Sequence, residues 1–265
     1  MRRQKFFTVV LCVELLTFSV AADVMAQTRI TFPPTQRRGA PARTVGGGQR
    51  GTVGGWQRGD GLSCLTSNQC LTALTPDNNV VTTLSAHPTL FWYVPQTEAK
   101  FAEFAVIDTS NFNEVYKTTV AVKGTPGIVK LSIPRDVSLE IGKEYWWKFS
   151  LIYNTENGTE EEPLAGLIER TELNWEEKMK LAAATEPLKK AEVYAKAKIW
   201  QETLSIVAQL RDERPNDSSV RNAWLGLLTS VNLEEIATKP LVKCCTVDHA
   251  QQGATPRMFG ESPRD

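Results

Sequence analysis

Histidine is nearly missing from this sequence: in 265 residues only His87 and His249 occur. That scarcity removes most acid–base and metal chemistry near neutral pH, for which imidazole is the usual carrier. His87 stands before Pro88 at the start of a strand, with no neighbouring acid, and reads as a structural or solvated loop residue. His249 follows Cys244-Cys245 in a polar tail, and adjacent cysteines lack the roughly two-to-four-residue spacing of a zinc site. The sequence has no Gly-x-Ser-x-Gly elbow. Its Gly-rich stretch lacks the Lys-Ser/Thr ending of a phosphate loop. Glu160-Glu161-Glu162 sits beside a turn and reads as solvated. No catalytic residue, cofactor or metal is expected. A hydrolase whose site forms only in three dimensions stays open.

Net charge is also lacking: Lys plus Arg balance Asp plus Glu. The balance hides an asymmetry. Residues 27–62 carry Arg29, Arg37, Arg38, Arg43, Arg50 and Arg58 against Asp60 alone, so the remainder after them is acidic. An acidic globule is not a nucleic-acid reader, although the basic stretch could touch anionic surfaces.

Long hydrophobic runs are confined to the N-terminus. Arg2, Arg3 and Lys5 precede Phe6–Ala22, an apolar run broken by Glu14, and Val24-Met25-Ala26 offers small residues to a peptidase. The run is shorter than the roughly 20 residues of a spanning helix. We expect residues 1–26 to be a signal peptide cleaved before Gln27, and the chain to be exported to the periplasm, the extracellular space or the cell envelope. No transmembrane segment remains after that cleavage. Four cysteines then remain, Cys64, Cys70, Cys244 and Cys245, in an oxidising compartment that permits three pairings. Cys64 and Cys70 enclose a short loop and form the expected disulfide. Cys244 and Cys245 are left open.

Along the chain, residues 27–62 read as a disordered Gly/Arg-rich linker with a short repeat, Thr44–Gly51 followed by Thr52–Gly59. Residues 63–170 carry period-two patterning: Tyr116/Thr118/Val120/Val122, Val129/Leu131/Ile133, and Tyr145/Trp147/Phe149/Leu151/Tyr153. Leu90–Val94 is apolar on both faces, as a central strand would be. Asp108–Asn113, Lys123–Gly127 and Asn154–Glu162 read as turns. From residue 171 to 242 the period becomes helical. Asn174 with Glu177 resembles a capping box, Pro187 starts a helix, Pro215 ends one, and Ser218 or Ser219 opens another. Residues 243–265 read as a disordered tail. The expected class is α+β, an N-terminal antiparallel β-sandwich of immunoglobulin or fibronectin type packed on a small C-terminal helical bundle. The short joint at 170–174 ties the two together. The approach from Leu139 to Trp147 looks like a tyrosine corner.

The aromatics Trp92, Tyr93, Trp146 and Trp147 form adjacent pairs within strands, so the members of each pair face opposite ways. They either pack in the core and against the helices or form a ligand-binding platform for glycan or protein.

Several blocks together resemble the domain-of-unknown-function family 928, an exported family common in cyanobacteria. They include Gly59–Cys64, Leu71–Pro76, Pro88–Pro95, Val115-Tyr116, Gly142-x-x-Tyr145-x-Trp147-x-Phe149 and Gly166-x-Ile168-x-Arg170. In order follow Ala197-x-Ile199-Trp200, Leu210-Arg211, Trp224-x-x-Leu227-Leu228 and Pro240-Leu241. The resemblance covers roughly residues 50–242 and implies export and this two-part layout, but no activity. The function expected is a non-catalytic extracytoplasmic binding or assembly module of the cell envelope. Its partner would be an envelope protein or glycan. The alternatives are an envelope hydrolase and a structural component of surface secretion.

Mass spectrometry of protein recovered from the envelope should find an N-terminus at Gln27. Without reduction it should find a peptide pair bridged through Cys64 and Cys70. A chain beginning at Met1 with both thiols free would contradict the export reading.

Overall fold

The computed structural model describes residues 29–35, 70–154, 159–160 and 163–243. The expected signal peptide and its cleavage point, the short repeat, Cys64, Glu161, Glu162, Cys244, Cys245 and His249 lie outside the described residues.

The alternating runs become strands β1 (Thr72–Ala73), β2 (Val80–Thr83), β3 (Thr89–Val94), β4 (Phe101–Asp108), β5 (Glu114–Ala121), β6 (Gly127–Ser132), β7 (Glu144–Asn154), β8 (Thr159–Glu160) and β9 (Leu164–Arg170). Helices follow as α1 (Trp175–Ala183), α2 (Pro187–Lys196), α3 (Trp200–Glu213), α4 (Ser218–Thr229) and α5 (Glu234–Ala237). The class is α+β, with two largely antiparallel sheets. The small sheet has the order β1-β3-β6. The large one has the order β2-β9-β7-β4-β5, with β8 on β7. One pairing departs from the antiparallel expectation: β2 runs parallel to β9, with Val80 opposite Leu167. Local alternation says nothing about the direction of a partner 87 positions away (167 minus 80).

Layering follows from β3. Leu90, Trp92 and Val94 face one core with Phe104, Val106, Tyr145, Trp147, Phe149 and Ile168 of the large sheet. Phe91 and Tyr93 face the other way, into a second core with Trp200, Leu204, Val207, Trp224 and Leu227 of the helices. The apolar-both-faces pattern is therefore a strand sandwiched between a sheet and a helical layer. In the first core Trp92 stacks on Phe149 at 4.4 Å and meets Phe104 and Trp147 edge-on at 5.2 and 5.9 Å. Such pairs contribute about 0.5–1.5 kcal/mol each beyond burial. A Cβ at Gly166 would lie 2.7 Å from the Trp147 ring and 2.8 Å from the Asn79 carbonyl, so only glycine lets β9 lie this close.

The capping box at Asn174 and Glu177 forms, each side chain taking the other's backbone N–H. Helix α4 is capped by Asp217, whose carboxylate accepts from Ser219 and Val220 N–H, one residue before the two serines expected to open it. Trp175, at the start of α1, is 77% exposed, and α1 buries none of its residues. The stretch read as a linker also departs from expectation at its start: Ile30 and Phe32 are buried in the second core.

The start of α3 joins the layers. The Trp200 indole N–H donates to the Leu74 carbonyl at 2.9 Å, and its backbone N–H donates to the Thr82 hydroxyl at 3.0 Å. One turn into the helix, the Glu202 carboxylate accepts from the Thr83 hydroxyl and from the Leu84 and Ser85 N–H groups at 2.8, 2.9 and 3.1 Å. Its other oxygen is buried without a partner among the described residues. Burial pushes the Glu202 pKa above the ordinary carboxylate value, against the pull of those donors.

A raised carboxyl pKa means the folded state holds its proton more tightly than the unfolded chain. The Glu202 contribution is thus whole below the ordinary carboxylate range and is lost as pH rises through its folded value. In thermal melts across pH, Glu202→Gln should therefore gain on the wild type as pH rises from mildly acid to neutral. Glu202→Ala, which orphans three donors, should cost about 1–3 kcal/mol. A Gln variant whose melting difference is flat with pH would refute the account.

Candidate functional site

The structure does not bring the four expected aromatics together. Trp92 and Trp147 lie between the two sheets, and Tyr93 lies under the helices with the Lys239 ammonium 5.6 Å above its ring. These three are core residues and not a platform, because β3 is covered on both faces and odd positions of β7 point inward. Only Trp146 reaches the outer face of the large sheet. There it stands beside Ile107 of β4 and Leu167 of β9 in the ladder.

Trp146 has a companion that the periodicity gave no reason to pick. Phe112, in the turn between β4 and β5, is 67% exposed, and its ring centroid lies 5.6 Å from that of Trp146. The turn is held tightly. Asp108 N–H donates to the Asn113 carbonyl and Phe112 N–H to the Asp108 carbonyl, both at 2.9 Å. The Asp108 carboxylate accepts from Ser110 N–H and hydroxyl, and Asn111 from Asn113 N–H. The Ser110 hydrogen bonds hold the Asp108 carboxyl below its ordinary range, with Lys143 adding a smaller pull from 3.7 Å. Lys143 is itself raised, chiefly by its hydrogen bond to Glu140.

Phe112 sits at φ 59°, in the left-handed region. A bulky side chain there costs about 1–2 kcal/mol, which Asn or Gly avoids. Thus a strained position holds a large apolar side chain mostly in water. The available signal was an aromatic inside a turn otherwise made of Asp, Ser and Asn.

Other surfaces are less organised. A cleft of about 550 Å³ between α1 and α2 is lined by Glu177, Lys180, Lys189, Glu192 and Lys196 together with alanines. Trp175 and Met179 of α1 are exposed. His87 turns Nδ1 toward the Val137 carbonyl at 2.8 Å, a loop tie. Among the described residues, no group of three or more His, Cys, Asp or Glu side chains could hold a metal ion, and no helix is long and apolar enough to cross a membrane. Cys70 is disulfide-bonded, with its partner outside the described residues.

A family model described as Domain of Unknown Function (DUF928) matches residues 45–241. Comparison with curated proteins gives no match. Among solved structures, one similar chain is astrotactin-2, described as a conserved vertebrate-specific and perforin-like membrane protein involved in neuronal development. It is 9% identical, with a TM-score of 0.25, over 57% of this chain and 37% of that one.

Replacing Phe112 by Gly should separate fold from surface. It removes left-handed strain of about 1–2 kcal/mol and gives up a ring contact of about 0.5–1.5 kcal/mol. Urea unfolding should then place the variant within about 1 kcal/mol of wild type. A loss above about 3 kcal/mol would show Phe112 to be part of the scaffold.

Proposed function

The chain belongs to the Domain of Unknown Function (DUF928) family, and we propose that this member is a non-catalytic, exported module that binds or assembles in the cell envelope. The binding surface is the outer face of the large sheet at Phe112 and Trp146, and its partner is an envelope protein or glycan. The observation that carries the reading is the exposed Phe112, held out by a turn whose polar groups bond each other, beside the half-buried Trp146 ring. Aromatic faces of this kind stack on sugar rings or fill apolar hollows in a protein partner, and they lose little side-chain entropy on doing so.

The leader at residues 1–26 supports export. A disulfide at Cys70, with Cys64 as its proposed partner, suits an oxidising compartment. The cyanobacterial type rests on the resemblance of the sequence blocks. We read the two facing sheets as distantly fibronectin-like. The backbone N–H of Glu140 donates to the Tyr145 hydroxyl at 3.0 Å, the bond of a tyrosine corner. A hydrolase reading would put a carboxylate beside His87, where the Val137 carbonyl stands instead.

The test is capture from a detergent-solubilised envelope fraction, and from purified envelope glycan, on immobilised mature protein. Wild type should retain one defined partner. Phe112→Gly and Trp146→Ser should each weaken retention by about tenfold or more, the effect of a hot-spot aromatic. Trp175→Ser should leave it unchanged. Retention that survives both sheet variants and fails with Trp175→Ser would move the site to α1. Turnover of an envelope polymer by the purified protein would overturn the non-catalytic reading.

A further inference from the structure

The first described residues, Arg29 to Thr35, lie across the helical layer, far in sequence from the described residues they touch. Ile30 and Phe32 are buried in the core that also holds Trp200, Trp224 and Leu227. Phe32 meets the Trp200 ring edge-on at 5.0 Å. Its backbone N–H donates to the Ser230 hydroxyl at 2.8 Å, and that hydroxyl in turn donates to the Leu227 carbonyl.

The receiving surface is shaped for a chain. Gly226 lies inside α4, where glycine weakens a helix relative to alanine. A Cβ at that position would stand 2.6 Å from the Arg29 side chain and 2.8 Å from the Ile30 carbonyl. The helix thus gives up propensity at the one place where the arm crosses it. The arm donates no backbone ladder to either sheet. Among the described residues its hold is two apolar side chains at alternate positions, an aromatic contact and one hydrogen bond.

Two further facts separate arm from groove. Residues 36–69, 34 of them (69 minus 36, plus one), stand between Thr35 and Cys70. At about 3.3–3.6 Å per residue that length reaches at most roughly 110–120 Å. A domain of this size has a radius of gyration of only about 16–17 Å. The family model, moreover, matches from residue 45 onward, so Gly226, Ser230 and Trp200 fall within the match and the arm falls before it.

We propose that residues 29–33 are an exchangeable arm, and that the groove formed by Trp200, Gly226 and Ser230 takes the same arm from a second copy of this chain. Arm and groove belong to one chain, so each groove meets its own arm at an effective concentration that no dilute neighbour matches. In dilute solution each copy therefore closes on itself. Where copies are confined together, as on an envelope layer, the neighbour's groove competes on equal terms and the arms link copy to copy. The groove already fits the spacing of Ile30 and Phe32 and the crossing at Gly226, and every copy carries that arm. The proposal is independent of the Phe112–Trp146 surface, which lies on the large sheet and not on the helical layer.

The experiment uses two mature full-length chains. One carries Ile30→Asp and Phe32→Asp, which spoils the arm and leaves the groove. The other carries Gly226→Val, which blocks the groove and leaves the arm. Each alone should be monomeric in light scattering. Mixed at tens of micromolar they should form a one-to-one complex, because the intact arm of the second fills the empty groove of the first. A chain carrying all three substitutions should join neither. A mixture that stays monomeric while both variants keep the wild-type circular dichroism overturns the proposal. Should Gly226→Val lose its fold, the arm-spoiled chain is titrated with a fluorescent peptide of residues 27–34. Saturable anisotropy that is lost with the Phe32→Asp peptide supports the exchange, and a flat titration overturns it. Neither readout depends on an envelope partner, so failure here leaves the aromatic surface to be judged by its own capture assay.

Discussion

The seat of Trp200 is the contact on which the arrangement of layers depends. Lys198, at φ 61°, turns the chain sharply after α2, and Ile199 is extended, so Trp200 starts α3 aimed back at the strands. Its indole bonds the chain just after β1 of the small sheet, and its amide bonds β2 of the large one. Glu202 then gathers three groups at the end of β2 and just after it. One helix turn thereby holds the edges of both sheets. A buried indole bond contributes only about 1 kcal/mol net, but an indole left unpaired there would cost about 1–3 kcal/mol. The geometry is enforced less by what the bonds add than by what their loss would cost.

That seat explains why so many of the residues that carry the family resemblance do structural work. Gly142 takes φ 77° before β7, and Gly166 lets β9 approach Trp147. Arg170 donates to the Leu84 and Leu139 carbonyls and so ties β9 to two loops. Arg211 lies over Trp224 at 4.7 Å and donates to the Lys239 carbonyl. Pro240 accepts from Ile128, and Val242 donates back to it, so the end of the described chain adds to the free edge of β6. The signature describes how a helical layer is fastened to a strand pair.

Much of this scaffold was legible in the sequence, because it depends on neighbours close along the chain. Alternation in β5, β6 and β7 identified their inward faces, and Asn174 with Glu177 marked the start of α1. What escaped depends on contacts at long separation. Nothing local to Ile30 and Phe32 says that Ser230 and Gly226 await them, and a Gly/Arg-rich context argued against any burial. The parallel partner of β2 lies beyond several turns. The four aromatics were correctly read as opposite-facing pairs. The helical layer covers Tyr93, whereas Trp146 on the outer face of the large sheet stays half-buried.

The backbone outliers sharpen the distinction between scaffold and surface. Among the described residues, four non-glycine residues have positive φ: Asn79, Phe112, Lys198 and Asn232. Two are asparagines, which tolerate the left-handed region. Asn79 also offers its carbonyl to Leu167, and Asn232 bonds Asp77. Lys198 offers its carbonyl to the Thr82 hydroxyl at the layer joint. In each case a tertiary contact accounts for the conformation. Phe112 is the bulky exception: its ring meets Trp146 alone among the aromatics of the described residues and stays mostly in water, and its turn would close as well around Asn. Strain retained without a stabilising return inside the fold points outward, and Trp146 stands at that point of the surface.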